Sequence, residues 1–177
     1  NDHSFRVPRP DLSVEMKEIP NACNLCHTDK DASWATDAMK SWYGKTPVGK
    51  QNFAHSMKAL RINSQDAPKE LYIVLMSDAP TIAKSTVTEY LGNYPSKQTY
   101  TTTLQMHRNK DAMTRRSALQ SLEAFPPKMR MKKTFEMLDD PMKIVRMEAA
   151  RQLAAFPFGE LDTKTKETLN EAFDEYE

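Results

Sequence analysis

The sequence predicts an all-α chain: an extended N-terminal strap with a single cysteine motif, followed by a short α-solenoid of HEAT-like helical hairpins. Three observations predict it. Only 4 Gly stand against 11 Met in 177 residues, and long β-branched runs are few, which favours helices over a β-sandwich or barrel. Aromatic-Pro pairs recur at a constant interval through the second half. Pro8, Pro10 and Pro20 crowd the opening, where they oppose regular structure.

Charge narrows the function classes. With 25 basic residues against 24 acidic and a net charge of +1, the chain is neither a strongly basic nucleic-acid binder nor an acidic tail. No apolar run approaches the roughly 18 residues of a membrane span. Two cysteines allow at most one disulfide, so this is not a stapled miniprotein. The organisation divides near residue 47, with strap, cysteine motif and a Trp-rich helix over 1–47 and helical repeats over 48–177.

Asn1 opens the chain without Met, a basic n-region or an apolar h-region, which reads as a removed leader or a piece of a longer polypeptide. From Asn1 to Pro20 the prolines, set around Arg6 and Arg9, predict a polyproline-like lead and no helix.

Cys23-Asn24-Leu25-Cys26-His27 then forms C-x-x-C-H, the attachment pattern for c-type haem. Two thiols three residues apart reach the two vinyl groups on one porphyrin edge, and the next residue, His27, sits beneath the iron as the proximal ligand. The competing readings are weaker. A disulfide oxidoreductase places C-x-x-C after a strand in a βαβ unit, and no strand pattern precedes Cys23. Structural zinc needs four ligands, and two Cys with one His fall short. An ordinary disulfide is the remaining reading.

Asp31 caps a predicted helix running to Tyr43, with Gly44 just past its end and Pro47 beyond. Trp34, Ala35, Ala38, Met39 and Trp42 share a face at helical spacing. That face either covers a porphyrin edge, which makes Trp34 a candidate haem contact, or packs on the following helices. The two roles are compatible.

The second axial position decides what such an iron does. Two protein ligands give an electron carrier, and an open position permits ligand binding or peroxide chemistry. His3, His55 and His107 are the candidate distal ligands, with His3 first because the irregular strap folds back freely. One of the methionines is the alternative, although methionine is also a common core filler. Arg6, Arg9 and Lys30 are candidates to pair with haem propionates, with unfixed surface charge as the default reading.

In the second half, Tyr94-Pro95, Phe125-Pro126 and Phe156-Pro157 recur every 31 residues. In that register Leu91, Leu122 and Leu153 align, as do Val87, Ala118 and Ala149; Ile82, Met113 and Ile144; and Lys84, Arg115 and Arg146. Each unit is read as a helix with an apolar stripe at i, i+5 and i+9, then a second helix, predicted over 97–108, 128–139 and 163–175. His107 falls at the register position of Leu138 and Leu169. A weaker pair is read at 50–63 and 68–77, which makes about four hairpins. An irregular helical bundle is the alternative. Lys128, Arg130, Lys132 and Lys133 read as a solvated helix face and not as a nucleic-acid site.

The stretch Asp2-His3-Ser4-Phe5-Arg6-Val7-Pro8-Arg9-Pro10, then Pro20-Asn21-Ala22 and the C-x-x-C-H motif, resembles the last haem segment of certain bacterial multihaem c-type cytochromes. Trp42-Tyr43-Gly44 and Ile144-Val145-Arg146 with Glu148-Ala149-Ala150-Arg151 fit the Trp-rich helix and HEAT-like repeats of that family. The resemblance covers essentially the whole chain, sharp around the motif and generic in the helices. It implies His3 as an axial ligand, to this haem or to one on a neighbouring segment. Family members often carry further C-x-x-C-H motifs upstream and tetratricopeptide units downstream, and this sequence has neither.

The first functional expectation is therefore a periplasmic or extracellular c-type cytochrome with one covalently attached haem c. It would pass electrons to a redox partner protein or another haem-bearing chain. The second is a protein-interaction scaffold in which the haem is structural or sensory. An enzyme, such as a peroxidase or nitrogen-oxide reductase, comes last, because no distal acid-base constellation is recognisable.

Overall fold

The structure, a computed structural model, describes residues 7–17, 19–46, 53–155 and 162–174. These residues are all-helical, with no strand. Three helices form the N-terminal part: α1 (Pro10–Glu15), the single turn α2 (Cys23–Cys26) and α3 (Ala32–Tyr43). Eight follow: α4 (Ala54–Arg61), α5 (Ala67–Met76), α6 (Thr81–Tyr90), α7 (Lys97–Met106), α8 (Ala112–Leu122), α9 (Pro127–Glu136), α10 (Lys143–Leu153) and α11 (Thr163–Asp174).

α1 corrects the expectation of a wholly extended lead. Pro10 occupies the first helical turn, where its missing N–H breaks no intrahelical bond. Leu12 and Met16 are buried and α1 packs on α3, so the apolar spacing across this turn outweighs the nearby prolines. Arg9 clamps Asp11 at 2.7 and 2.9 Å and holds the Asp11 carboxyl below its ordinary range, so Arg9 is engaged within its own segment.

α3 begins and ends where its caps dictate. The Asp31 carboxylate accepts from the Trp34 N–H at 2.8 Å, and Gly44 takes φ +70°, a conformation that strains any residue with a Cβ. Asp31→Ala is expected to cost about 1 kcal/mol of local stability, read as faster hydrogen exchange at the Trp34 amide. Unchanged exchange would show that the cap does not hold this helix end.

The interval of 31 seen in the sequence is the spacing of α6, α8 and α10, which begin at Thr81, Ala112 and Lys143 and stack in turn, with α7, α9 and α11 against them. Two apolar cores result. One gathers Leu71, Val74, Val87 and Leu91; the other gathers Leu119, Val145, Ala149, Leu153 and Leu169. Hydroxyl pairs lie between the units: Ser85 with Thr114 at 3.0 Å and Thr103 with Ser121 at 3.2 Å. Gly92 lets the two units approach closely here, since a Cβ would stand 3.1 Å from the Ser121 carbonyl oxygen, a tight contact.

The buried stripe differs from the predicted one. Ala83, Val87 and Leu91 are buried, as are Thr114, Ala118 and Leu122, and Val145, Ala149 and Leu153. Met113 and Ile144, predicted inward, are 45% and 41% exposed, and Ile82 is only half-buried. At ~100° per residue, a step of five turns a side chain about 140° away, whereas steps of four stay on one face. In the aligned basic column, Arg115 is drawn inward, donating to both Asp140 oxygens at 2.7 and 2.8 Å and to the Asn109 and Lys110 carbonyls. This joins the second unit to the third, and Arg146 adds a bond to the Asp140 carbonyl at 2.7 Å. Lys128 and Lys132 are exposed, whereas Arg130 and Lys133 are half-buried, so only part of the predicted solvated face is fully open. Phe156-Pro157 lies outside the described residues.

Candidate functional site

The cysteine motif stands on α2, one turn with no side-chain cap and no buried residue. Helical spacing sets Cys23 and Cys26 on one side of that turn. Both thiols are free, Cys23 half-buried and Cys26 exposed. The chain leaves the turn through His27, whose backbone N–H donates to the Cys23 carbonyl at 2.9 Å.

The His27 side chain is exposed, and its ring nitrogens have no hydrogen-bond partner among the described residues. Its ring faces Trp34 instead, with centroids 4.7 Å apart and planes inclined by 50°. Asp31 places that indole on the first turn of α3, so the cap sets the position of the aromatic wall. Cys23, Cys26, His27, Trp34, Ala35, Ala38, Met39 and Trp42 together line a cleft of about 320 Å³. The expected α3 face is therefore the wall of this cleft, with small alanines between two indoles. Ala35 and Met39 are buried, whereas Trp42 remains 69% exposed and Leu25 and Tyr43 beside the site are exposed too, so the open apolar surface lies at that edge of the cleft.

Asn24, between the cysteines, holds the arrangement and was not singled out from sequence. Its side chain accepts from the Asn21 amide at 2.7 Å and donates to the Lys30 carbonyl at 2.8 Å and, more weakly, to the His27 carbonyl at 3.4 Å. The available signal was Asn at 21 and 24 in a turn-forming stretch, since asparagine amides bond nearby backbone.

The distal candidates separate. His3 lies outside the described residues. His55, on α4, bonds Glu15 of α1 at 3.0 Å and does not line the cleft. His107, at the end of α7, is 3% exposed beside a different groove, with Lys133 and Glu136. Burial first, and then Lys133, push its pKa from 6.5 to about 4. Lys30 pairs with Asp29 at 3.1 Å, and Arg6 lies outside the described residues.

The donor set can be tested against what it would hold. Among the described residues, no three His, Cys, Asp or Glu side chains are grouped to hold a metal ion. A porphyrin brings four equatorial nitrogens of its own and asks the chain for two accessible thiols, an unengaged imidazole and an apolar wall. Those are the groups lining this cleft, and they fit. No family model matches the chain, and neither a curated protein nor a solved structure matches it.

Proposed function

We propose that this chain is a c-type cytochrome that carries one haem c on Cys23 and Cys26, with His27 as proximal ligand, and passes electrons through it. The observation that carries the reading is the cleft itself: two free thiols, an imidazole with no hydrogen-bond partner among the described residues, and two indoles around a floor of alanines. When bound, the haem supplies reversible one-electron chemistry at its iron. The chain's residues do the rest. The thiols anchor the group at one edge, His27 presents a ring nitrogen to the metal, and Trp34 limits the movement of that ring. Ala35 and Ala38 leave room for a flat group, while Trp34, Met39 and Trp42 keep water from it.

His3 is the first distal candidate, as the family resemblance implies, because His55 bonds Glu15 and His107 is buried beside a different groove. The partner is a redox protein or another haem-bearing chain, which would meet the exposed apolar edge at Leu25, Trp42 and Tyr43. Attachment of this kind takes place outside the cytoplasm, so the location is periplasmic or extracellular. Among the described residues, no helix is long and apolar enough to cross a membrane. The stacked helices form a short HEAT-like solenoid that positions the haem segment.

The test is direct. Protein made in a host competent for c-type haem attachment is expected to exceed its polypeptide mass by one haem. Its reduced-minus-oxidised spectrum should be low-spin and insensitive to carbon monoxide. A polypeptide mass alone would overturn the reading, and ready carbon monoxide binding would replace the carrier with a sensor or enzyme. A scaffold is the second reading, favoured by Met113, Met142 and Ile144, which expose apolar surface near the starts of α8 and α10.

A further inference from the structure

We infer that Asn24 is the positioning residue of the haem site: its side-chain amide fixes the direction in which His27 presents its imidazole. The inference rests on the haem reading above and extends it to a residue that is neither a thiol nor a ligand. A single helical turn does not hold itself, because nucleation fixes several residues for one hydrogen bond. α2 is such a turn, without a cap or a buried side chain, and the His27 ring has no hydrogen-bond partner among the described residues.

The restraint comes from the Asn21–Asn24 clip. Asn24 Oδ1 accepts from Asn21 Nδ2 at 2.7 Å, and Asn21 Oδ1 accepts from the Asn24 backbone N–H at 3.3 Å, which ties the turn to the segment before it. Asn24 Nδ2 reaches forward to the Lys30 carbonyl at 2.8 Å, next to Asp31, the cap of α3. One side chain therefore spans the loop from the motif to the helix that carries Trp34. His27 is the residue whose backbone this loop swings. An amide is required for the task, since one end must donate and the other accept. Aspartate would set a carboxylate against the Lys30 carbonyl, and alanine would leave that carbonyl to water.

An iron ligand loosened in this way changes the metal's signature without leaving it. Holoprotein carrying Asn24→Ala or Asn24→Asp is expected to retain covalent haem and its helical circular dichroism. Its low-spin electron paramagnetic resonance lines should broaden, and its midpoint potential should fall as water gains access. Asn21→Ala, which removes the rear half of the clip alone, should give a smaller change in the same direction. In the Asn24→Ala background it should add less than it does alone, because only the bond from the residue-24 backbone N–H to Asn21 Oδ1 is then left to lose.

A variant that folds but loses attachment, with both thiols intact, would overturn the inference, because Asn24 would then present the thiols and not the imidazole. Variants with the parent's line shape and potential would overturn it. So would an Asn21→Ala effect that adds fully to that of Asn24→Ala. Absence of haem from the parent protein sinks the functional reading instead, so the two failures are distinguishable.

Discussion

With both Cys23 and Cys26 changed to serine, the protein is expected to come colourless from a haem-attaching host while its helices stay intact. The two halves of that expectation have separate causes. Under the proposed function, thioether bonds at these two residues would be the only covalent hold, and serine hydroxyls do not form them under conditions in which thiols do. Stability should hardly change, because no residue of α2 is buried and both thiols are free, so the substitutions open no cavity and break no bond. Each single serine variant should keep haem through one bond, in reduced yield. His27→Ala should differ in kind, keeping some attached haem but with an altered spectrum, because it removes the ligand and leaves the tether. Covalent haem on the double variant would place the attachment elsewhere and end the proposal. Unfolding of the double variant would show that the thiols serve a structural purpose.

A second large effect is expected at His107 and needs no haem. This imidazole fills a position that the repeat gives to Leu138 and Leu169, which are 4% and 1% exposed. Both of its nitrogens are buried without a hydrogen-bond partner among the described residues. Because its folded pKa is about 4 against an ordinary 6.5, the unfolded chain binds the proton more readily between those values. Stability should therefore fall as pH drops from about 6.5 towards 4, by about 3 kcal/mol in all, and this contribution should level off below that. His107→Leu should remove that slope and raise stability at pH 7 by roughly 1–3 kcal/mol, since no buried polar group is then left unpaired. Urea titrations of both proteins at pH 7 and near pH 4.5 measure the difference. A variant that is weaker at neutral pH with the same acid slope would show that the imidazole has a partner in solution.

Much of the fold was legible because its signals are local. Asp31 and Gly44 bracket α3 by the chemistry of helix ends, and the spacing of 31 sets α6, α8 and α10. The buried register of His107 with two leucines also followed from counting along the chain. What failed did so for identifiable reasons. The prolines predict an extended lead, but burial of Leu12 and Met16 against α3 outweighs them and α1 forms. The stripe at i, i+5 and i+9 joined positions that point apart on a helix, so Met113 and Ile144 were turned inward when they face out.

At the site, the motif residues and the Trp face of α3 were read directly, since their spacing is their chemistry. Asn24 was passed over because its partners, Asn21 and Lys30, become meaningful only once the loop has a path. Periodicity and capping are properties of neighbours in the chain, and from them the amino-acid order alone determined α3, the repeating helices from α4 onward and the position of the motif. Packing joins residues far apart in that order, and only the tertiary structure decided that α1 covers α3, that Arg115 reaches Asp140 and that His27 meets Trp34. Those contacts depend on loop paths and helix rotation, which no local pattern encodes.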